Sequence, residues 1–115
     1  MNVASAAFRT HPDLDLFFGC SDAMAQGAAQ AAEEAGKKVF TIGIDGNPDT
    51  LKDIQNGVVT ASCGVFPEEM GRIVVRTVSG YLEGIPVAPE VETPIAMIDS
   101  GNVEEYLAGP IAPSN

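Results

Sequence analysis

The chain has 115 residues, enough for one small domain with a single core and too few for a second complete lobe. Its 16 acidic residues against 6 basic give a net charge of −10, and no lysine or arginine cluster is large enough to track a phosphate backbone, which argues against a nucleic-acid partner. The acids are scattered, so the charge reads as a solubilising surface rather than an acidic patch. Residues 1–9 lack the basic start and long apolar stretch of a secretory signal, and no run reaches transmembrane length.

In chain order, residues 2–10 read as the tail of a helix, stopped by His11-Pro12-Asp13 because the residue before proline avoids the helical region. A strand is predicted over about 14–20, and Asp22 is expected to cap an alanine-rich helix that runs through Ala35 and closes at Gly36. A second strand spans about 38–44. Asn47 as cap and Pro48 at the first helical position open a short helix that Gly57 closes, and Val58–Val65 forms a third strand.

Pro67 starts the longest helix, about 67–83, with Met70, Ile73, Val74, Val78, Tyr81 and Leu82 on one apolar stripe. Residues 84–90, with Pro86 and Pro89, form a loop. Val91–Ile98 reads as a fourth strand interrupted by Pro94, the mark of an edge or a crossing point. Asn102–Leu107 makes one or two helical turns, and residues 109–115 read as a frayed tail.

One arrangement repeats: a short apolar run ends in a polar or turn residue and a helix follows at once, at residues 16–22, 39–45 and 61–67. Continuous apolar runs joined by helices predict an α/β fold, a parallel sheet covered by helices on both faces, and such sheets bind ligands at the carboxyl ends of their strands. Ser21, Asp45 and Val65 are therefore expected on one rim. Cys20 and Cys63, each within an apolar run, are expected as buried thiols with backbones roughly 10 Å apart across an intervening strand, beyond disulfide reach.

Other chemistry finds little support. Asp45, Asn47 and Asp49 alternate like the opening of a calcium loop, but Thr50 and Asn56 stand where that loop needs its glycine and closing glutamate, and Pro48 intrudes. His11 and Cys20 lie at opposite ends of a strand, too far apart for a thiol–imidazole pair. One histidine and two cysteines make no zinc set, and the glycines form neither a phosphate loop nor a dinucleotide fingerprint. The sequence offers no catalytic residue, metal ligand or cofactor site, and the chain does not read as an enzyme.

The segments "HPDLDLFFGCSDAMAQGAAQAAEEAG" and "TIGIDGNPDTLKDIQNGVVTASCGVFPEEMG", followed by a late "NV-x-x-Y" at Asn102–Tyr106, resemble in their order the carboxyl-terminal part of periplasmic sugar-binding proteins of ABC importers, of the ribose- and galactose-binding type. The resemblance covers about 11–107 and implies an incomplete lobe of a type I periplasmic-binding-protein fold, a three-layer α/β sandwich. Residues 1–66 would be the second half of the carboxyl-terminal sugar-binding lobe, 67–90 a helix belonging to the other lobe, and 91–115 a returning strand, short helix and tail. It implies no cofactor, a periplasmic or extracellular lipoprotein setting, and a transporter permease as partner of the full-length protein.

By the same resemblance, Asp45 falls on the family's sugar-binding aspartate, whose carboxylate accepts charge-assisted hydroxyl bonds. The competing reading is a turn residue bonding its own backbone ahead of Gly46. Ser21 stands where the family has an asparagine, and Val65 where many members carry glutamine or asparagine. Both departures take hydrogen-bonding capacity from the site and point to a less polar sugar or polyol. Phe66 could stack on an apolar ligand face, but core packing is the preferred reading for an aromatic beside a strand.

Function therefore reads as a solute-binding component of an importer, with the effector-binding domain of a LacI-like transcription regulator as the alternative and a stand-alone structural module as a third. The ending "PIAMIDSGNVEEYL" favours the importer. With only one wall of the cleft and one apolar helix stripe short of a partner, the chain is expected to bind sugar poorly and to associate with a second copy, as a homo-oligomer or swapped dimer.

Overall fold

The computed structural model describes residues 3–109. The chain runs through α1 (Val3–Thr10), β1 (Leu16–Phe18), α2 (Asp22–Glu34), β2 (Phe40–Asp45), α3 (Pro48–Gln55), β3 (Ala61–Val65), α4 (Pro67–Leu82), β4 (Ile95–Asp99) and α5 (Val103–Ala108). The strands form one sheet in the order β1-β2-β3-β4, parallel except for β4, which returns antiparallel to β3. The expected α/β class holds. The tail reading falls, apart from Gly109, outside the described residues, as does Asn2 of the first helix.

The helices end where backbone chemistry predicts. Gly36 and Gly57 take φ of +64° and +74°, which costs glycine little and stops α2 and α3. Pro48 and Pro67 occupy first helical positions. The strands are shorter than the apolar runs suggest, and hydrogen bonds show why. Val58 and Val59 donate back to the Asp53 carbonyl and so finish α3 before β3 can begin. Pro94 stands just before β4 rather than inside it, at the edge of the sheet, where a missing N–H is tolerated.

The core lies on one face of the sheet. Ala25 and Ala29 of α2, Leu51 and Ile54 of α3, Ile98 of β4 and Val103 of α5 pack together around Val59. A second cluster joins α1 to α2 through Ala4, Phe8, Ala28, Ala31 and Ala32, with Phe8 edge-on to Phe17 at 5.2 Å. The alanine face lets α2 lie close to the sheet directly over Gly43, where a Cβ would meet Asp22 and Ala25. The late Asn-Val-x-x-Tyr segment docks α5: Asn102 Nδ2 donates to the Met97 carbonyl, Val103 is buried, and Tyr106 lies 6.2 Å from Phe66.

The opposite face corrects an expectation. Cover on both faces was predicted, yet among the described residues Leu16, Phe18, Phe40, Ile95 and Met97 remain 45–61 % exposed. Strand register places Ile44 beside Cys63 and Met97 on that same face. The continuous apolar runs do record burial on two sides, but the helices built by the described residues cover one.

α4 stands apart. It buries no residue, and Met70, Val74, Val75, Val78, Tyr81 and Leu82 are 39–79 % exposed. The radius of gyration of 17.8 Å, against about 13 Å for a compact chain of this length, reflects this projection.

Candidate functional site

The three parallel strands set the rim. Phe18 pairs with Ile42, and Asp45 pairs with Gly64. Ser21 lies three residues beyond Phe18, just as Asp45 lies three beyond Ile42, and Val65 follows Gly64. Ser21, Asp45 and Val65 thus sit at the carboxyl ends of neighbouring strands, as the sequence predicts. The Gly19 N–H extends the ladder to the Ile42 carbonyl at 2.8 Å, after which the chain turns outward at Cys20 and enters α2.

Ser21 is the residue preceding α2, in extended conformation (φ −152°, ψ 162°), and its hydroxyl makes no capping bond. Asp45 ends β2 with φ of +129°, the one non-glycine residue at positive φ among the described residues. Such a conformation costs on the order of 1–3 kcal/mol and persists only where the surroundings enforce it. The Asp45 carboxylate makes no hydrogen bond among the described residues, so the reading of a side chain bonding its own turn fails. Both polar groups on this rim are left unconsumed by the fold.

What enforces the Asp45 turn is a residue the sequence reading assigned elsewhere. Asp22 was expected to cap α2; instead it is the first residue of the helix, fully buried, and its carboxylate joins the start of α2 to β3 and to the turn after β2. Oδ1 accepts the Ser62 hydroxyl at 2.5 Å and Oδ2 accepts the Asn47 N–H at 2.7 Å. Ser62 Oγ in turn accepts the Gly46 N–H at 3.1 Å. Gly46, at φ +75°, crosses so closely over β3 that a Cβ would lie 2.9 Å from Gly64 Cα. The signal was present in the sequence: glycines at 43 and 64 and a serine at 62 inside apolar strand runs mark close backbone approach and a polar partner.

Two further expectations change. Cys20 is exposed, because β1 ends at Phe18 and the following residues leave the sheet; Cys63 is half-buried on the uncovered face, and both thiols are free. Phe66 is buried against Tyr106, so it packs the core rather than facing a ligand.

Residues 1–86 match the family described as periplasmic binding protein domain. The chain belongs to that family. The ribose import binding protein RbsB of Bacillus subtilis is 30% identical over 97 residues, spanning 84% of this chain and 32% of that protein. Among solved structures, the glucose-galactose binding protein GanP of Geobacillus stearothermophilus shares 29% identity at a TM-score of 0.79, covering 86% of this chain and 36% of GanP. A periplasmic solute-binding protein of Actinobacillus succinogenes with bound D-allose superposes at a TM-score of 0.83 over 91% of this chain and 37% of that one; at 22% identity it supports the fold alone. The chain spans about a third of the length of the relatives it matches. These relatives are binding proteins and not enzymes, and they do not favour the transcription-regulator alternative.

Proposed function

We propose that this chain forms one wall of a sugar- or polyol-binding cleft in a periplasmic solute-binding component of an ABC importer. The observation that carries the reading is the Asp45 carboxylate, held in a strained conformation at the carboxyl end of β2 and left without a hydrogen-bond partner among the described residues, with the Ser21 hydroxyl, which makes no capping bond, just beyond the end of the neighbouring β1. A carboxylate accepts two ligand hydroxyls in charge-assisted bonds, and the serine donates or accepts one more. Val65 adds an apolar edge, which suits a ligand with fewer hydroxyls or an exposed C–H face. The facing wall belongs to polypeptide corresponding to the rest of the relatives' length, and closure of the two walls over the ligand presents the loaded protein to the permease.

The test is a nuclear magnetic resonance titration of the 115-residue chain with D-ribose, D-allose and myo-inositol. One wall leaves the ligand half solvated, so affinity of ~1 mM or weaker is expected, with saturable shifts at Ser21, at residues 45–47 and at Val65. Asp45→Ala removes them. Shifts absent for every ligand, or confined to the uncovered sheet face, would refute the reading.

We propose in addition that the isolated chain pairs with a second copy. It carries an uncovered sheet face and an uncovered helix, and helix on sheet is the packing both require. If α4 of each copy lies across the sheet of the other, a two-fold exchange satisfies both surfaces at once. The exposed side chains on the two surfaces amount to roughly 1,000 Å² per copy, or roughly 2,000 Å² in the pair, which is the size of a stable interface. α4 itself carries Glu69 paired to Arg72 and Arg76, each at 3.2 Å, so its outer face is already neutralised.

A further inference from the structure

We infer that Asp22 is the positioning residue of the site: it sets the spacing between the Ser21 hydroxyl and the Asp45 carboxylate, and with it which pair of ligand hydroxyls the rim can span. The inference rests on the proposed binding role of those two groups. The geometry is specific. Asp22 is joined to Ser21 by a peptide bond and to the Asp45 turn by two routes, directly through the Asn47 N–H at 2.7 Å and indirectly through Ser62, whose hydroxyl donates to Asp22 at 2.5 Å while accepting the Gly46 N–H at 3.1 Å. The two amides that follow Asp45 are therefore both pinned, and the residue before them has no freedom to relax its φ of +129°.

Nothing in helix formation requires a carboxylate there. A first-turn acid normally faces solvent and interacts with the helix dipole, whereas this one is sealed between α2 and β2, its Cα close to where a Gly43 Cβ would stand. Burial of a carboxylate is costly unless its oxygens are satisfied, and here both accept hydrogen bonds, from the Asn47 amide just past Asp45 and from the Ser62 hydroxyl that also holds the Gly46 amide. The same side chain thus ties the start of α2, the turn after β2 and the start of β3 into one unit, so that the strain at Asp45 is held before any ligand arrives.

The test compares the wild-type chain with Asp22→Asn and Ser62→Ala by amide hydrogen exchange and by the three-bond HN–Hα coupling of Asp45, alongside the D-ribose and D-allose titrations. Asp22→Asn is expected to speed exchange of the Gly46 and Asn47 amides roughly 10- to 100-fold, the loss expected for a hydrogen bond to a charged acceptor. It should also shift the Asp45 coupling and weaken sugar binding at least about tenfold, a change worth one decade of affinity. Amides of Ala29, Leu51 and Ile54 should hold their protection; a uniform loss across them would mean that Asp22 only stabilises the fold, and would overturn the inference. Should Asp22→Asn not fold, Ser62→Ala, which removes only the Gly46 route, must still free that amide. If the wild type binds neither sugar, the functional reading fails while the exchange and coupling data still decide whether Asp22 holds the turn. If sugar binds, and the variants bind it equally with the Asp45 coupling unchanged, the functional reading stands and the positioning role is wrong.

Discussion

Gly43 is where the sheet and α2 come closest, and Gly43→Ala measures how tightly that contact is drawn. A Cβ at this position would lie 2.9 Å from Asp22 Cα, 3.2 Å from Ala25 Cβ and against Asp22 Oδ1. Rotating the Asp22 side chain relieves only the last of these, because the first is helix backbone; α2 itself has to lift. Overpacking of a close-packed interior costs ~1–3 kcal/mol. Lifting α2 also stretches the bonds from Ser62 and Asn47 to the Asp22 carboxylate, and losing one hydrogen bond to a charged group costs ~1.5–3 kcal/mol more. The sum, about 2.5–6 kcal/mol, is a large share of the ~5–15 kcal/mol that holds a typical domain together. Urea denaturation of the two chains reads it directly, with a melting temperature lowered on the order of 15 °C. Gly27→Ala is the internal control: it lies on the same helix with nothing within 4 Å of the added Cβ, and is expected to stabilise by about 0.5–1 kcal/mol through helix propensity. A Gly43→Ala chain within ~1 kcal/mol of wild type would show that α2 rides higher over the sheet than the structure has it, and the Asp22 network would lose its basis.

Two further outcomes follow from the packing. The Thr41 hydroxyl is buried and has no hydrogen-bond partner among the described residues, so Thr41→Val, which keeps the shape and removes the orphaned group, should raise stability by ~1 kcal/mol in the same denaturation assay; a loss of stability would reveal a partner for that hydroxyl. For the proposed pairing, light scattering after size exclusion should give a mass that climbs toward twice 11.9 kDa as concentration rises, and Val74→Asp with Val78→Asp should hold the chain at single mass while leaving its melting temperature nearly unchanged. A wild-type chain that stays at single mass up to ~1 mM refutes the exchange of α4, since an interface of that area is ordinarily far tighter.

Much of the fold was legible because it is written locally. Pro48 and Pro67 open helices, Gly36 and Gly57 close them, and the apolar runs predicted as strands at about 14–20, 38–44 and 58–65 contain or overlap the observed β1, β2 and β3, since each of these effects acts within one turn or one strand. The rim was legible for the same reason: parallel strands end on the same side, so the residues at or just past the ends of β1, β2 and β3 fall on one edge, and Ser21, Asp45 and Val65 needed no long-range information to be placed there. The order of motifs then supplied the family.

Tertiary structure alone decided the rest, because it depends on contacts between residues far apart in sequence. Asp22 reads as a helix cap until Ser62, forty residues on, is seen to donate to it. The positive φ at Asp45 goes with amides of Gly46 and Asn47 that are held by Ser62 of β3 and Asp22 of α2, groups distant in sequence. The apolar face of the sheet and the stripe on α4 look in sequence like any other buried surface; only the assembled chain shows that the described residues leave both open, because burial belongs to what packs against a residue and not to the residue.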